Sequence, residues 1–297
     1  MTAITHYILK KRENANYLKH ISPIIPSEIS IVIPVRNNEN GINKFLESFI
    51  KTQKPKNYPL EIIIVDNNDK LETIIKPKIL LSKLNIKIFH CKTKGPGNAR
   101  NVGWRRSKGK WILFTDSDCI ATESIIEGFI NNQNGSIGYS GNVKSVPKGN
   151  ICEYYDSQKI LVPLINEMNE PEYLITANAL VYREGLEKIK GFNPQIRIAA
   201  GEDIDLGIKL RKLGKLTYCE EAIVMHDFKE NLDSFKERFI RYGTGNKIIA
   251  TLYNLDMTPK LFEPNVKNSI NHELASIQYN CLLKGYNSDN GNRILRY

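Results

Sequence analysis

The chain is 297 residues long, 41% hydrophobic and 25% charged, with a formal net charge of +10. That length can bury one sizeable core with appended helices or a small second lobe. No apolar run approaches the roughly 18 residues that span a bilayer, and the N-terminal "MTAITHYILKKRENANY" carries charges where a signal peptide needs an apolar stretch. The expectation is a soluble cytoplasmic protein, at most peripheral on the inner face of the membrane. Five singly spaced cysteines (Cys91, Cys119, Cys152, Cys219, Cys281) form no CxxC pair, which argues against a disulfide framework or a cysteine zinc site. The positive charge suits an anionic partner. Its dispersion, without an aromatic-basic stripe, gives no expectation of nucleic-acid binding.

Ile/Val-rich runs at 28–35 (EISIVIPV), 60–67 (LEIIIVDN) and 111–116 (WILFTD) predict parallel strands covered on both faces. After the first, ENGINKFLESFIKT sets Ile42, Phe45, Leu46 and Phe49 at helical spacing; between the second and third, GNARNVGWRRSKG predicts a short helix. This alternation predicts an α/β sheet whose right-handed crossovers gather the strand C-termini along one ligand-binding edge. The stretch 135–185 is less regular, with GYSGNVKS and YLITANALVYRE as strands around a helix near Glu153 to Asn166. Next, GEDIDLGIKLRKLGK places Ile204, Ile208, Leu210 and Leu213 on a helical face that stops at Gly214, and YCEEAIVMHDF closes the main fold. Beyond it, SFKERFIRYGTGNKIIATLY and HELASIQYNCLLKGY are amphipathic helices, the latter presenting Leu274, Ile277, Cys281 and Leu282. The tail from about Phe235 is expected to pack on the main domain or form a dimer contact, with an anionic membrane as the competing surface.

Asp116 and Asp118 lie two apart, so an extended backbone points both to one side, at the ligand-binding edge. Two carboxylates there repel unless a cation neutralises them. Carboxylate, phosphate oxygen and water are ligands of Mg²⁺ or Mn²⁺, so "DSD" can clamp a metal that also holds a diphosphate; the plainer reading is a polar turn. Asp66 ends the second strand, where it can meet a nucleobase or ribose, or initiate a turn. In KGPGNARNVG, Gly95, Pro96 and Gly97 precede a helix N-terminus whose free amides, with Arg100, favour an anion. The stretch lacks the third glycine of a dinucleotide fingerprint, and no GxxxxGK[ST] occurs, which argues against dehydrogenases and P-loop proteins. Glu202 and Asp203 follow Gly201 at the start of a predicted helix, either as dipole-favoured acids or as a base for an incoming hydroxyl. His226 ends a predicted strand and offers a neutral imidazole to a metal, or is structural.

Taken in order, SIVIPVRNNENGINKFLESF, EIIIVDNND, GPGNARNVG, WILFTDSDC, GFNPQIRIAAGEDIDLGIKLRKLG and AIVMHDF resemble family 2 glycosyltransferases of bacterial type, over about residues 28–245. The resemblance implies the GT-A fold, an α/β Rossmann-like mixed sheet flanked by helices. It divides the chain into an extension (1–27), a catalytic domain (28–250) and a C-terminal helical extension (251–297). It further implies that Pro34 and Glu39 begin the nucleotide pocket, that Asp66 meets the base, and that Arg100 lies beside the nucleotide phosphates. Asp116 and Asp118 match the DxD metal pair, His226 a metal-ligating histidine, and Asn178 the block that lines the donor sugar. Asp203 matches the catalytic base and Glu202 its supporting carboxylate. Family members commonly carry tyrosine where this chain has Arg36, and D-D-G-S where it has "DNND".

The activity so implied is an inverting, Mn²⁺- or Mg²⁺-dependent transfer of a sugar from a nucleotide-diphosphate sugar, a UDP-sugar first, as in polysaccharide biosynthesis. The acceptor is a glycan, a lipid-linked precursor or a protein side chain. Two alternatives compete: a metal-dependent nucleotidyltransferase, which releases pyrophosphate, and a non-catalytic sugar- or nucleotide-binding module of the same fold.

Overall fold

The Ile/Val runs become the centre of an eight-stranded sheet. The computed structural model describes residues 20–70 and 84–288, together with Tyr7 and Leu18. Its strands are β1 (Ile29–Val35), β2 (Glu61–Asp66), β3 (Ile86–His90), β4 (Trp111–Thr115), β5 (Cys119–Ala121), β6 (Gly138–Ser145), β7 (Asn178–Tyr182) and β8 (Leu216–His226). They lie in the order β3-β2-β1-β4-β7-β6-β8-β5. The β3-β2-β1-β4 half is parallel, whereas β7 runs antiparallel to β4 and β6, and β5 antiparallel to β8.

Burial on both faces of β1, β2 and β4 requires helices on both sides. On one side α1 (Glu39–Thr52) and α3 (Ser124–Asn131) insert Phe45, Leu46, Phe49, Ile125 and Phe129. On the other, α2 (Pro96–Arg106), α5 (Arg183–Ile189) and α6 (Glu202–Leu210) insert Ala99, Trp104, Leu186, Leu206 and Leu210. A third cluster joins α4 (Asn150–Ser157) to α7 (Leu232–Tyr253) and α8 (Ser269–Tyr286) through Tyr154, Tyr155, Phe235, Phe239 and Leu274. Asparagines cap α1, α7 and α8: Asn38, Asn231 and Asn268 each accept an amide three residues on. The C-terminal pair crosses at Gly243 and Gly285. A Cβ on either would overlap a main-chain oxygen of the other helix, Leu282 O and Ile240 O respectively.

Several expectations shift. The helix near Glu153 to Asn166 stops at Ser157, because Lys159 takes a positive φ of 52° and Pro163 follows. The strand in YLITANALVYRE covers only Asn178–Tyr182, and the residues before it form a loop on the cavity wall. Helix α6 ends at Leu210, and Gly214 closes the next turn by donating to Leu210 O. The expected division at 250/251 falls inside α7, and Leu18 and Ile24, from the expected extension, pack into the main clusters. No helix among the described residues is long and apolar enough to cross a membrane.

Candidate active site

The C-terminal ends of β1, β2 and β4 open onto a cavity of about 690 Å³ lined by Pro34, Asn67, Asp116, Asp118, Glu202, Asp203 and His226, among others. Local pairing explains how the acidic turn meets the histidine. After β4 the chain turns tightly, Cys119 N donating to Asp116 O at 3.1 Å, and β5 then pairs antiparallel with β8 so that Cys119 faces His226. Asp227 N reaches Asp118 O at 2.8 Å, which fixes the two segments side by side.

Asp116, Asp118 and His226 each offer a ligand atom, and these atoms all lie within 4.8 Å of one another. His226 Nε2 stands 3.4 Å from Asp118 Oδ1, and its buried Nδ1 has no hydrogen-bond partner. Burial holds the imidazole below its ordinary pKa, against the pull of Asp118, so it is neutral and has a lone pair to give. Phe228 stacks on it at 3.9 Å between centroids. Two carboxylates and a neutral imidazole converging from a cavity wall form a donor set that fits a divalent cation such as Mn²⁺.

A second acidic pair sits across the cavity. Gly201 turns the chain with φ 85°, a conformation that favours glycine, and α6 begins at Glu202. Glu202 is buried and Asp203 half-buried. Burial raises the pKa of both above the ordinary carboxylate range, and the Asp203 charge raises that of Glu202 further. Arg100 sits between the two acidic groups: Nη2 donates to Asp116 Oδ1 at 2.6 Å and Nη1 to Glu202 Oε1 at 3.1 Å. Burial alone would lower the pKa of this guanidinium, but the charges of Asp116 and Glu202 outweigh it.

The nucleotide-side expectations come out unevenly. Pro34, Arg100, and Gly95 and Pro96 at the start of α2 line the cavity. Asp66 is fully buried and accepts the Asn68 amide at 2.8 Å, so it holds a turn and does not stand on the cavity wall. Glu39 likewise stands off the wall, its Oε1 3.4 Å from Asn68 Nδ2. Between them "DNND" forms a polar brace: Asn67 donates to Cys91 O and Thr93 O and accepts from Gly95 N, while Arg36 donates to Asn67 O at 2.7 Å.

Asn178 is a clear correction. It is fully buried, its amide donating to Ala222 O at 2.7 Å and Asn142 O at 3.2 Å. Strand β8 bulges there, since Gly141 pairs with Cys219 while Asn142 pairs with Ile223, and Asn178 satisfies carbonyls near the bulge. Thr176 and Ala177 line the cavity in its place. The sequence reading also missed Tyr173, Arg197, Arg238, Arg241 and Tyr242 on the wall. Arg238 and Arg241 were legible as two arginines three apart on one helix, and therefore neighbours on its surface.

A model described as glycosyl transferase family 2 matches residues 30–189, more than half of the chain. The chain belongs to that family. Poly(ribitol-phosphate) beta-N-acetylglucosaminyltransferase TarP of Staphylococcus aureus is 31% identical over 240 residues, covering 76% of this chain and 70% of TarP. TarS of the same species, also named a poly(ribitol-phosphate) beta-N-acetylglucosaminyltransferase, is 33% identical over 93 residues, covering 31% of this chain and only 16% of TarS. Among solved structures, TarS 1–349 in complex with UDP superposes with a TM-score of 0.52 at 21% identity, over 74% of this chain and 65% of that one. A mannosyltransferase from Pyrobaculum calidifontis, in complex with GDP-Man and Mn²⁺, gives 0.57 at 15% identity, over 96% and 81%. This family 2 chain has the mixed, curled sheet of the GT-A fold.

Proposed function

We propose that the protein is a glycosyltransferase that moves a sugar from a nucleotide-diphosphate donor, a UDP-sugar first, to a hydroxyl acceptor with inversion. The observation that carries this reading is the one cavity into which Asp116, Asp118 and His226 converge from one side and Glu202 and Asp203 from the other. The relatives add weight: TarP and TarS are named as N-acetylglucosaminyltransferases, and TarS has been seen with UDP.

In this reading Asp116, Asp118 and His226 hold a divalent cation, Mn²⁺ or Mg²⁺. When bound, that cation supplies positive charge for the departing diphosphate. The brace of Asn67 and Gly95 and the first turn of α2 receive the nucleotide end of the donor. Asp203 takes the proton from the acceptor hydroxyl as its oxygen attacks the anomeric carbon from the face opposite the leaving group. The sugar–phosphate bond breaks as the new glycosidic bond forms, which inverts the centre. Glu202, fixed by Arg100, supports that carboxylate, and the geometry of approach contributes most of the base's effect.

Calorimetric titration with UDP, GDP, CDP and dTDP, in Mn²⁺ and again in excess EDTA, tests the donor site. Metal-dependent binding of one diphosphate is the expected result, and binding of none would overturn the reading. Product analysis separates it from nucleotidyl transfer, because sugar transfer releases a nucleoside diphosphate and not pyrophosphate.

A further inference from the structure

One wall of the cavity has no part in the mechanism above. Helix α7 carries it, and Arg238 and Arg241, three residues apart, both line it. Arg238 donates to Tyr242 Oη at 3.3 Å, and its guanidinium lies 4.6 Å from the ring centre of Phe228 and 5.6 Å from that of Tyr155. Arg241 donates from Nε to Ala199 O at 3.1 Å, which holds it beside the loop that leads into Asp203.

Neither arginine makes an ion pair with a carboxylate among the described residues. Arg197, on the loop opposite, likewise has no ion pair among the described residues, whereas Arg36 and Lys94 share Asp69 and Arg100 is held by Asp116 and Glu202. Arg238 feels the charge of Asp118 without touching it, and a partly buried cation that no carboxylate contacts has lost hydration that an anion would replace. Stacking and the Nε bond fix the planes of the two guanidinium forks and leave N–H groups free, a geometry that matches phosphate oxygens better than a flexible ammonium does.

Their position points to the acceptor. Gly245, one turn beyond Arg241, approaches Ala200 so closely that an added Cβ would lie 2.7 Å from the alanine Cβ, and Gly201 abuts Gly245 O in the same way. This face of α7 therefore presses on the segment that delivers Asp203, where the acceptor hydroxyl has to arrive. We infer that Arg238 and Arg241 bind a phosphate carried by the acceptor next to the hydroxyl that receives the sugar. The inference rests on Asp203 as the base. The same phosphate chemistry is present in the donor diphosphate, so the test has to separate the two sources.

The intact chain and its Arg238→Ala, Arg241→Ala and Arg241→Lys variants would be titrated with three probes at two salt concentrations. These are UDP with Mn²⁺, a synthetic polyol-phosphate oligomer, and an uncharged oligosaccharide of the same length. The expected result is salt-sensitive binding of the oligomer and much weaker binding of the uncharged chain. Arg241→Ala should weaken the oligomer by about tenfold or more, with Arg241→Lys in between, and leave UDP affinity unchanged, which also reports an intact fold. Oligomer binding no tighter than that of the uncharged chain would overturn the inference. So would an equal loss of UDP affinity in the alanine variants, which would assign the arginines to the donor diphosphate. A wild-type chain that bound the oligomer but not UDP would uphold the phosphate site and overturn the donor reading instead.

Discussion

Arg100 Nη2 lies 2.6 Å from Asp116 Oδ1, and the same guanidinium reaches Glu202 Oε1 at 3.1 Å. One buried cation thus links the acidic turn after β4 to the acidic start of α6. Removing it leaves two carboxylates facing each other in a poorly hydrated site. Arg100→Met is expected to cost about 3 kcal/mol of folding stability, the low end for a broken buried pair because Asp116 is partly exposed. Urea unfolding with an unchanged midpoint would show that the triad contributes nothing.

Asp203→Asn keeps the size and removes the proposed base. Transfer is expected to fall by about 10²–10⁴-fold while UDP affinity stays near that of the wild type. A variant that turned over at the normal rate would remove Asp203 from the mechanism.

The pH profile follows from the same pair. Burial raises the pKa of Asp203 above its ordinary 3.8, and a base works only when ionised. The rate should therefore fall as pH falls through a value above that of a free aspartate. A plateau extending down to the ordinary aspartate range would contradict the assignment.

Asp118→Ala removes one of three converging ligand atoms. The expected outcome is a loss of at least about tenfold in Mn²⁺-dependent UDP affinity, with the residual binding matching that of the wild type in EDTA. Calorimetry that gave equal affinities for both chains in Mn²⁺ would separate Asp118 from the metal.

The crossing of α7 and α8 has no room for side chains at Gly243 and Gly285. Gly285→Ala is expected to destabilise the chain by about 1–3 kcal/mol, since the helices must move apart or distort. Thermal unfolding at the wild-type temperature would mean that the two helices separate freely.

The parallel centre of the sheet was legible because its strands are buried on both faces and read as unbroken apolar runs. Strands β3 and β5 were not: β3 is half-buried at an edge and β5 has three residues, too few for a period. The DSD turn, Glu202, Asp203 and His226 were found as separate motifs. Their convergence depends on β5 pairing with β8, which local sequence does not encode. Asn178 misled because it stands beside the wall, and only the bulge in β8 reveals what its amide serves. Asp66 ends β2 and Glu39 opens α1, as expected, but the asparagines of "DNND" take the turn and its hydrogen bonds.

The match to the family model ends at residue 189, whereas α7, α8 and the arginines that line the cavity come later in the chain. If Arg238 and Arg241 bind the acceptor as inferred, specificity for the incoming molecule lies on helices that follow the last strand of the sheet. Under the proposed function, grafting residues 228–288 from one family member onto the sheet of another should exchange what is modified while retaining the sugar that is delivered, provided Gly245 in the graft meets a small residue and a glycine at positions 200 and 201 of the recipient.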